Sequence, residues 1–271
     1  MSNDFCRYLD SVEQIAVEAG HRILEIYERD HHVRAKPDGS PVTDADQAAQ
    51  AVIVDRLARM TPEIPVLAEE SPDVDYERRA GWERFWLVDP LDGTKEFINR
   101  NGEFTVNIAL IENQSPVLGV VHVPVKRMTY LACRDGGAYR RDQGTTRIAI
   151  AASVYGGKCP RVVASRSHAD SNLDAYLTRV GEHALVSMGS SLKFCLVAEG
   201  AADVYPRLGP TMEWDTAAAQ CVVEAAGGRI VDIHNRPLRY NKPSLRNPWV
   251  ITSGAGDYDW TRFLPPQNSA A

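Results

Sequence analysis

The residues best suited to chemistry are carboxylates that follow short apolar runs. Trp86, Leu87 and Val88 lead into Asp89-Pro90-Leu91-Asp92-Gly93-Thr94, so an apolar strand ends at one aspartate and a tight proline-containing turn delivers a second. Two carboxylates on a rigid turn suit a hard divalent cation such as Mg²⁺, which takes oxygen ligands in near-octahedral geometry. Gly93 lets a phosphate approach the backbone, and free N–H groups at the start of the next segment favour an anion. The same residue types also build an ordinary Asx turn, and taken alone the segment leaves both readings open. A second apolar run, Val66-Leu67-Ala68, enters Glu69-Glu70-Ser71, where a solvated loop is the alternative. In a third segment Asp215 follows Glu213-Trp214 and is placed as the N-cap of an alanine-rich helix, a role that needs no chemistry.

Mixed α/β elements without an internal repeat position these acids. Leu9, Val12, Ala16, Ala19, Ile23, Ile26 and Tyr27 recur at helical spacing and predict a long amphipathic opening helix. Thr43 and Asp46 form a capping-box pattern ahead of a second helix with Ala49, Val52, Ile53, Leu57 and Met60 on one face. Strands are predicted at 65–68, 85–88, 105–111, 117–123 and 128–132. The polar stretch 140–146 reads as a turn, and there we divide the chain into units 1–145 and 146–271. Beyond it come a strand at 162–164, a helix near 173–180, a strand at 184–187 and a helix at 192–199. A further helix, 216–226, is stopped by Gly227 and Gly228 before a strand at 229–232. Such alternation predicts layered helices and sheets.

Composition narrows the function classes. Of the 271 residues 44% are hydrophobic and 24% charged, the balance of a folded globular chain with a large core. The apolar runs are too short and too interrupted to span a membrane, and Asp4 and Asp10 stand where a secretion signal would be apolar. A net charge of −6 with no basic run argues against nucleic-acid polymers as partners. It leaves room for an anionic small molecule, provided cations reverse the field locally. The five cysteines are scattered and odd in number, which argues against a disulfide framework and a zinc site and favours a reducing cytosol.

The turn Asp89 to Thr94, the upstream Glu69-Glu70 after a strand and the downstream Trp214-Asp215 before an alanine-rich helix occur in the order and spacing of the inositol monophosphatase superfamily. The chain resembles that family of metal-dependent, lithium-sensitive phosphomonoesterases over nearly its whole length. The resemblance implies a layered α/β/α/β/α sandwich with the site between two subdomains. It also implies that Glu69, Asp89, the carbonyl of Leu91, Asp92 and Asp215 hold two or three Mg²⁺ ions, with Li⁺ inhibitory. Thr94 would align the attacking water, helped by an upstream acid, Asp44 or Glu70; for Asp44 the competing explanation is favourable charge at a helix N-terminus. Glu69, Leu91, Asp92, Gly93, Thr94 and Asp215 would then face the phosphate being cut.

Three further stretches resemble the 3′(2′),5′-bisphosphate nucleotidase branch: Lys95-Glu96-Phe97, Gly189-Ser190-Ser191-Leu192-Lys193-Phe194-Cys195 and Tyr205-Pro206-Arg207. A second phosphate needs its own cations, which Lys193 on a helix and Arg207 in a loop would supply, Arg with a bidentate fork. For Lys193 the alternative is an exposed helical position with its stem over apolar neighbours. By the same resemblance Ser190 and His168 would touch the nucleotide. The implied reaction is hydrolysis of adenosine 3′,5′-bisphosphate to AMP, with the phosphosulfate as a second substrate, in sulfate assimilation. The compartment implied is cytoplasmic, with peripheral membrane contact and a homodimer both compatible. An inositol or sugar phosphatase, and a catalytically silent nucleotide- or metal-binding protein, are the alternatives.

Overall fold

The computed structural model describes residues 5–29, 33–35, 41–71, 74–165 and 171–266. A single 3-10 turn, Phe5–Tyr8, leads into α1 (Leu9–Tyr27), followed by a ribbon of β1 (Val33–Ala35) and β2 (Pro41–Thr43) and then α2 (Asp44–Met60). The inward stripe of α1, with Val12, Ala16, Ala19 and Ile23 all at 0% exposure, packs with α2 on one face of a seven-stranded sheet. That sheet runs in chain order: β3 (Val66–Ala68), β4 (Arg84–Asp92), β5 (Thr105–Glu112), β6 (Ser115–Val123), β7 (Met128–Cys133), β8 (Gly137–Asp142) and β9 (Ile148–Ala149). The short helices α3 (Tyr76–Arg79) and α4 (Thr94–Ile98) flank β4. Only β3 and β4 are parallel; the other pairs are antiparallel.

A second sheet has the order β11-β10-β12-β14-β13. Its parts are β10 (Arg161–Ser165), α5 (Ser171–Val180), β11 (Ala184–Met188), α6 (Leu192–Ala198), β12 (Val204–Arg207), α7 (Glu213–Ala225), β13 (Arg229–Asp232) and β14 (Val250–Ser253). Helices α6 and α7 lie between the sheets, while Tyr176 of α5 packs with Val162, Val204, Ile251 and Trp260 on the outer face. The five alternating layers are those of the predicted sandwich. The approach of α7 to the first sheet is close: a Cβ on Gly119 of β6 would collide with the carbonyl of Ala218 and lie 2.8 Å from Cys221 Cβ. Only glycine at 119 lets the helix seat there.

Four expectations need correction. Residues 140–142 belong to β8 rather than to a turn, because β8 pairs with β7 as far as Met128 with Asp142, and the sheet continues through β9 to Ala149. Arg207 is on β12 rather than in a loop, since β12 has Pro206 paired with Ile251 of β14. Helix α7 starts three residues earlier than predicted, so Asp215 is not the N-cap but the third helical residue. Finally, Cys6 and Cys133 are joined in a disulfide with Cα atoms 5.4 Å apart. The Phe5–Tyr8 turn lies on β6 and β7, and a Cβ on Gly136 would sit 2.7 Å from Cys6 Sγ. A separation of 127 residues gave spacing rules nothing to detect.

Candidate active site

Each acid is delivered by the end of a secondary-structure element. Strand β4 is buried from Phe85 to Leu91, and its ladder with β5 pairs Asp89 with Asn107 and Asp92 with Thr105, with a register shift between the two aspartates. The shift accommodates Pro90, which cannot donate to a ladder, and the Leu91 amide donates instead to Asp89 Oδ1 at 3.0 Å. Gly93 follows at φ 96°, a left-handed conformation that turns the chain into α4. Glu69 leaves β3 with its amide on the Val88 carbonyl at 3.1 Å, which docks it beside β4. Asp215 reaches the same place from α7, its Oδ2 reaching back to accept from the amide of the N-cap residue Met212 at 2.8 Å.

The sequence-distant acids therefore converge. One oxygen from each of Glu69, Asp89 and Asp215 lies within 4.8 Å of the others. Asp92 joins them through Ser191, whose hydroxyl reaches Asp92 Oδ2 at 2.6 Å and the Asp215 carbonyl at 2.9 Å. Burial, then the charges of Glu69, Asp92, Asp215 and Asp46, push the carboxyl of Asp89 well above its ordinary range. Asp215 is raised as well, by burial first and then by Asp92 and Glu69. Like charges packed this closely out of water are costly unless a cation offsets them. The all-oxygen donor set fits a hard divalent ion.

Thr94 opens α4 and donates to Asp46 Oδ1 at 3.4 Å. Asp46 is 2% exposed and is held from behind: its Oδ2 accepts from the Thr43 amide at 2.8 Å and the Thr43 hydroxyl at 2.6 Å. Asp44, expected beside Thr94, faces outward and pairs with Arg34 at 2.9 Å, about half exposed. Two residues along a helix place side chains on different faces, so only one of the two acids can point at Thr94. Glu70 has its amide fixed by Gln50 Oε1 at 2.9 Å. The sequence reading thus missed Asp46 because it had already been given a structural role. A capping carboxylate has two oxygens, and the second was the available signal.

Glu69, Asp92, Thr94, Asp215, Lys193 and Arg207 line one cavity of about 290 Å³. Larger clefts of about 520 and 570 Å³ near Arg239 contain none of the four clustered acids. Lys193, on α6, is 6% exposed, which removes the solvated-surface alternative. Its ammonium lies 5.7 Å from the Tyr205 ring centre, and burial pulls its pKa down to about 8, Asp92 opposing and Arg207 assisting. Arg207 is fixed by an Nη2 bond to the Pro210 carbonyl at 2.9 Å. Ser190 sits at φ 44°, with its buried Oγ lacking a hydrogen-bond partner among the described residues. His168 lies outside the described residues. Among the described residues, no helix is long and apolar enough to cross a membrane.

With this geometry in view, the comparisons with known proteins are specific. The inositol monophosphatase family matches residues 7–254. The 3′(2′),5′-bisphosphate nucleotidase CysQ of Escherichia coli strain K12 is 51% identical over 243 residues, covering 89% of this chain and 97% of its own. The enzyme of that name from Haemophilus influenzae is 36% identical over 254 residues, 93% of this chain and 94% of its own. Among solved structures, CysQ from Bacteroides thetaiotaomicron superposes with a TM-score of 0.79 at 44% identity, over 91% of this chain and 96% of that one. An inositol monophosphatase from Anabaena, at 24% identity and a TM-score of 0.76 over the whole of both chains, shares the fold. The chain belongs to the inositol monophosphatase family.

Proposed function

We propose that the chain is a magnesium-dependent 3′(2′),5′-bisphosphate nucleotidase that hydrolyses adenosine 3′,5′-bisphosphate to AMP and inorganic phosphate, with the phosphosulfate as a second substrate, in sulfate assimilation. One observation carries the reading: a single cavity is lined by Glu69, Asp92 and Asp215 of the carboxylate cluster together with the cations Lys193 and Arg207. A monoester dianion needs neutralising and a water needs deprotonating; a second phosphate on the same substrate needs separate cations. An inositol phosphate, with neutral hydroxyls in that place, would offer Lys193 and Arg207 no anionic group to bind.

In this reading Glu69, Asp89, the Leu91 carbonyl, Asp92 and Asp215 hold Mg²⁺, two or three ions per site. The bound cations would supply charge neutralisation and a more acidic water. Thr94 directs its own proton to Asp46 Oδ1, which leaves a lone pair on Oγ1 to align the attacking water. The water proton moves towards Thr94 Oγ1 as the threonine proton moves to Asp46. We assign this relay to Asp46 in place of Asp44. As the P–O bond to the leaving oxygen breaks, the bond from the water oxygen to phosphorus forms; the released 3′ oxygen takes a proton from solvent water, and Asp46 returns the one it received to solvent. Lys193, Arg207 and the Ser190 hydroxyl grip the 5′-phosphate, with His168 kept as a nucleotide contact. The same reading includes inhibition by Li⁺, a cytoplasmic setting with peripheral membrane contact, a homodimer and a division of the chain near residue 145.

The test is phosphate release from adenosine 3′,5′-bisphosphate and from inositol 1-phosphate, each with Mg²⁺ and with EDTA. Strong preference for the bisphosphate and loss of turnover in EDTA are expected. Preference for inositol phosphate would move the chain to the inositol branch, and absence of turnover on both would make it a binding protein.

A further inference from the structure

The turn ahead of α6 carries two adjacent serines with different surroundings. Ser190 lines the cavity, whereas Ser191, 1% exposed, contacts the carboxylate cluster from behind. Its oxygen has three neighbours: Asp92 Oδ2 at 2.6 Å, the Asp215 carbonyl at 2.9 Å and Asn107 Nδ2 at 3.0 Å. A carboxylate and a backbone carbonyl both only accept, so the single Ser191 proton can serve one of them, and the shorter contact to the charged Asp92 takes it. Asn107 must then present its amide nitrogen, not its oxygen, which leaves Asn107 Oδ1 buried and without a hydrogen-bond partner among the described residues. An unpaired buried acceptor is a standing cost. It is tolerated here in a chain of bonds running from β5 through Ser191 to β4 and α7.

The geometry points to Ser191 as a positioning residue that sets the rotamer of Asp92 and its spacing to Asp215, and so tunes the cation affinity of the site. The two acids come from separate elements, and among the described residues Ser191 is the side chain whose hydroxyl lies within hydrogen-bond distance of both, 2.6 Å from Asp92 Oδ2 and 2.9 Å from the Asp215 carbonyl. With one oxygen of Asp92 committed to the hydroxyl, the other is left for a cation. Partners that orient ligating carboxylates in this way are worth a substantial part of metal affinity. The inference relies on the proposed function only in taking these acids as cation ligands.

The experiment is calorimetric titration of Mg²⁺ into the EDTA-stripped full chain and its Ser191→Ala and Ser191→Thr variants, with the Mg²⁺-induced rise in Tm measured in parallel. Ser191→Ala should weaken cation binding roughly tenfold to a hundredfold, while KM for the bisphosphate at saturating Mg²⁺ stays near its original value. Ser191→Thr keeps the hydroxyl and should restore affinity even where its extra methyl lowers the Tm. Unchanged affinity in Ser191→Ala, or an equal loss in Ser191→Thr, overturns the proposal, since packing rather than the hydroxyl would then be responsible. If Ser191→Ala does not melt cooperatively, Ser191→Cys, a close match in size with a weaker donor, is titrated in its place, and unchanged affinity there is equally fatal. The titration uses no substrate, so its failure and a failure of the nucleotidase reading are separable.

Discussion

Two acids in the first turn of α7, Glu213 and Asp215, have opposite surroundings. Glu213 is fully buried, and the protein compensates it: its carboxylate accepts from the Asn241 amide at 2.6 Å, the Lys242 amide at 3.0 Å and the Lys242 ammonium at 2.6 Å. The loop that provides these donors is held by Arg79, bonded to Asn241 Oδ1 and to the Lys242 and Pro243 carbonyls. Asp215, two residues on, has the Met212 amide as a donor and otherwise faces Asp92 and Glu69. A buried acid with its counter-charge built in serves the fold. One surrounded by further acids leaves a charge deficit for something outside the chain to fill.

The contrast can be broken by substitution. Asp215→Asn should lower kcat on the bisphosphate by about a thousandfold, comparable to removing a group that stabilises transition-state charge, while leaving metal-free stability unchanged or improved. A loss of folding without added cation would show that Asp215 is structural. Glu213→Gln should do the reverse, costing roughly 2–3 kcal/mol in urea denaturation, below the usual figure for breaking a buried pair because Lys242 keeps 29% of its side-chain exposure. Its kcat should stay within a few-fold, and a large kcat loss at full stability would undo the comparison.

Smaller effects sharpen the assignment. Asp46→Asn should reduce kcat by about a hundredfold, within the range of general-base contributions, and Asp44→Asn should change it little; the opposite ranking would restore Asp44. Lys193→Ala should raise KM for the bisphosphate about tenfold, the value of one charge-assisted bond, and spare simple monoesters. In the unsubstituted protein that KM should climb as pH passes above about 8, where the buried ammonium loses its charge. The smallest effect is thermal. Asp89 and Asp215 have folded pKa values raised above their unfolded ones, so the stability they contribute is full at acid pH and is lost as pH rises through the raised values. The Tm of EDTA-treated protein should therefore fall from pH 5 to pH 8, and Mg²⁺ should recover more of it at pH 8. A flat profile would mean that the acids are less strained than their packing indicates.

Much of this was legible from residue order. Hydrophobic periodicity located α1 and most strands because one face of each must be buried, and the turn from Asp89 to Thr94 announced itself by its composition. What escaped were relations in space. Asp44 and Asp46 are alike on paper, and only the direction of α2 relative to Thr94 separates them. Ser191 reads as an unremarked neighbour of Ser190 until Asp92, almost a hundred residues earlier, is set against it. Strand β12 was hidden by Pro206, and the Cys6–Cys133 link by the length of chain between the two.

The glycine beneath α7 has a consequence for the carboxylate cluster one turn along the helix. Because the Ala218 carbonyl rests on Gly119 with no room for a methyl, the height of the whole helix above the sheet is fixed at that point. A helix moves as a rod, so a shim of one carbon there would lift Asp215, three residues before Ala218 on the same helix, away from Glu69 and Asp89. The tolerance of the catalytic cluster is thus set partly by a residue that touches none of its members.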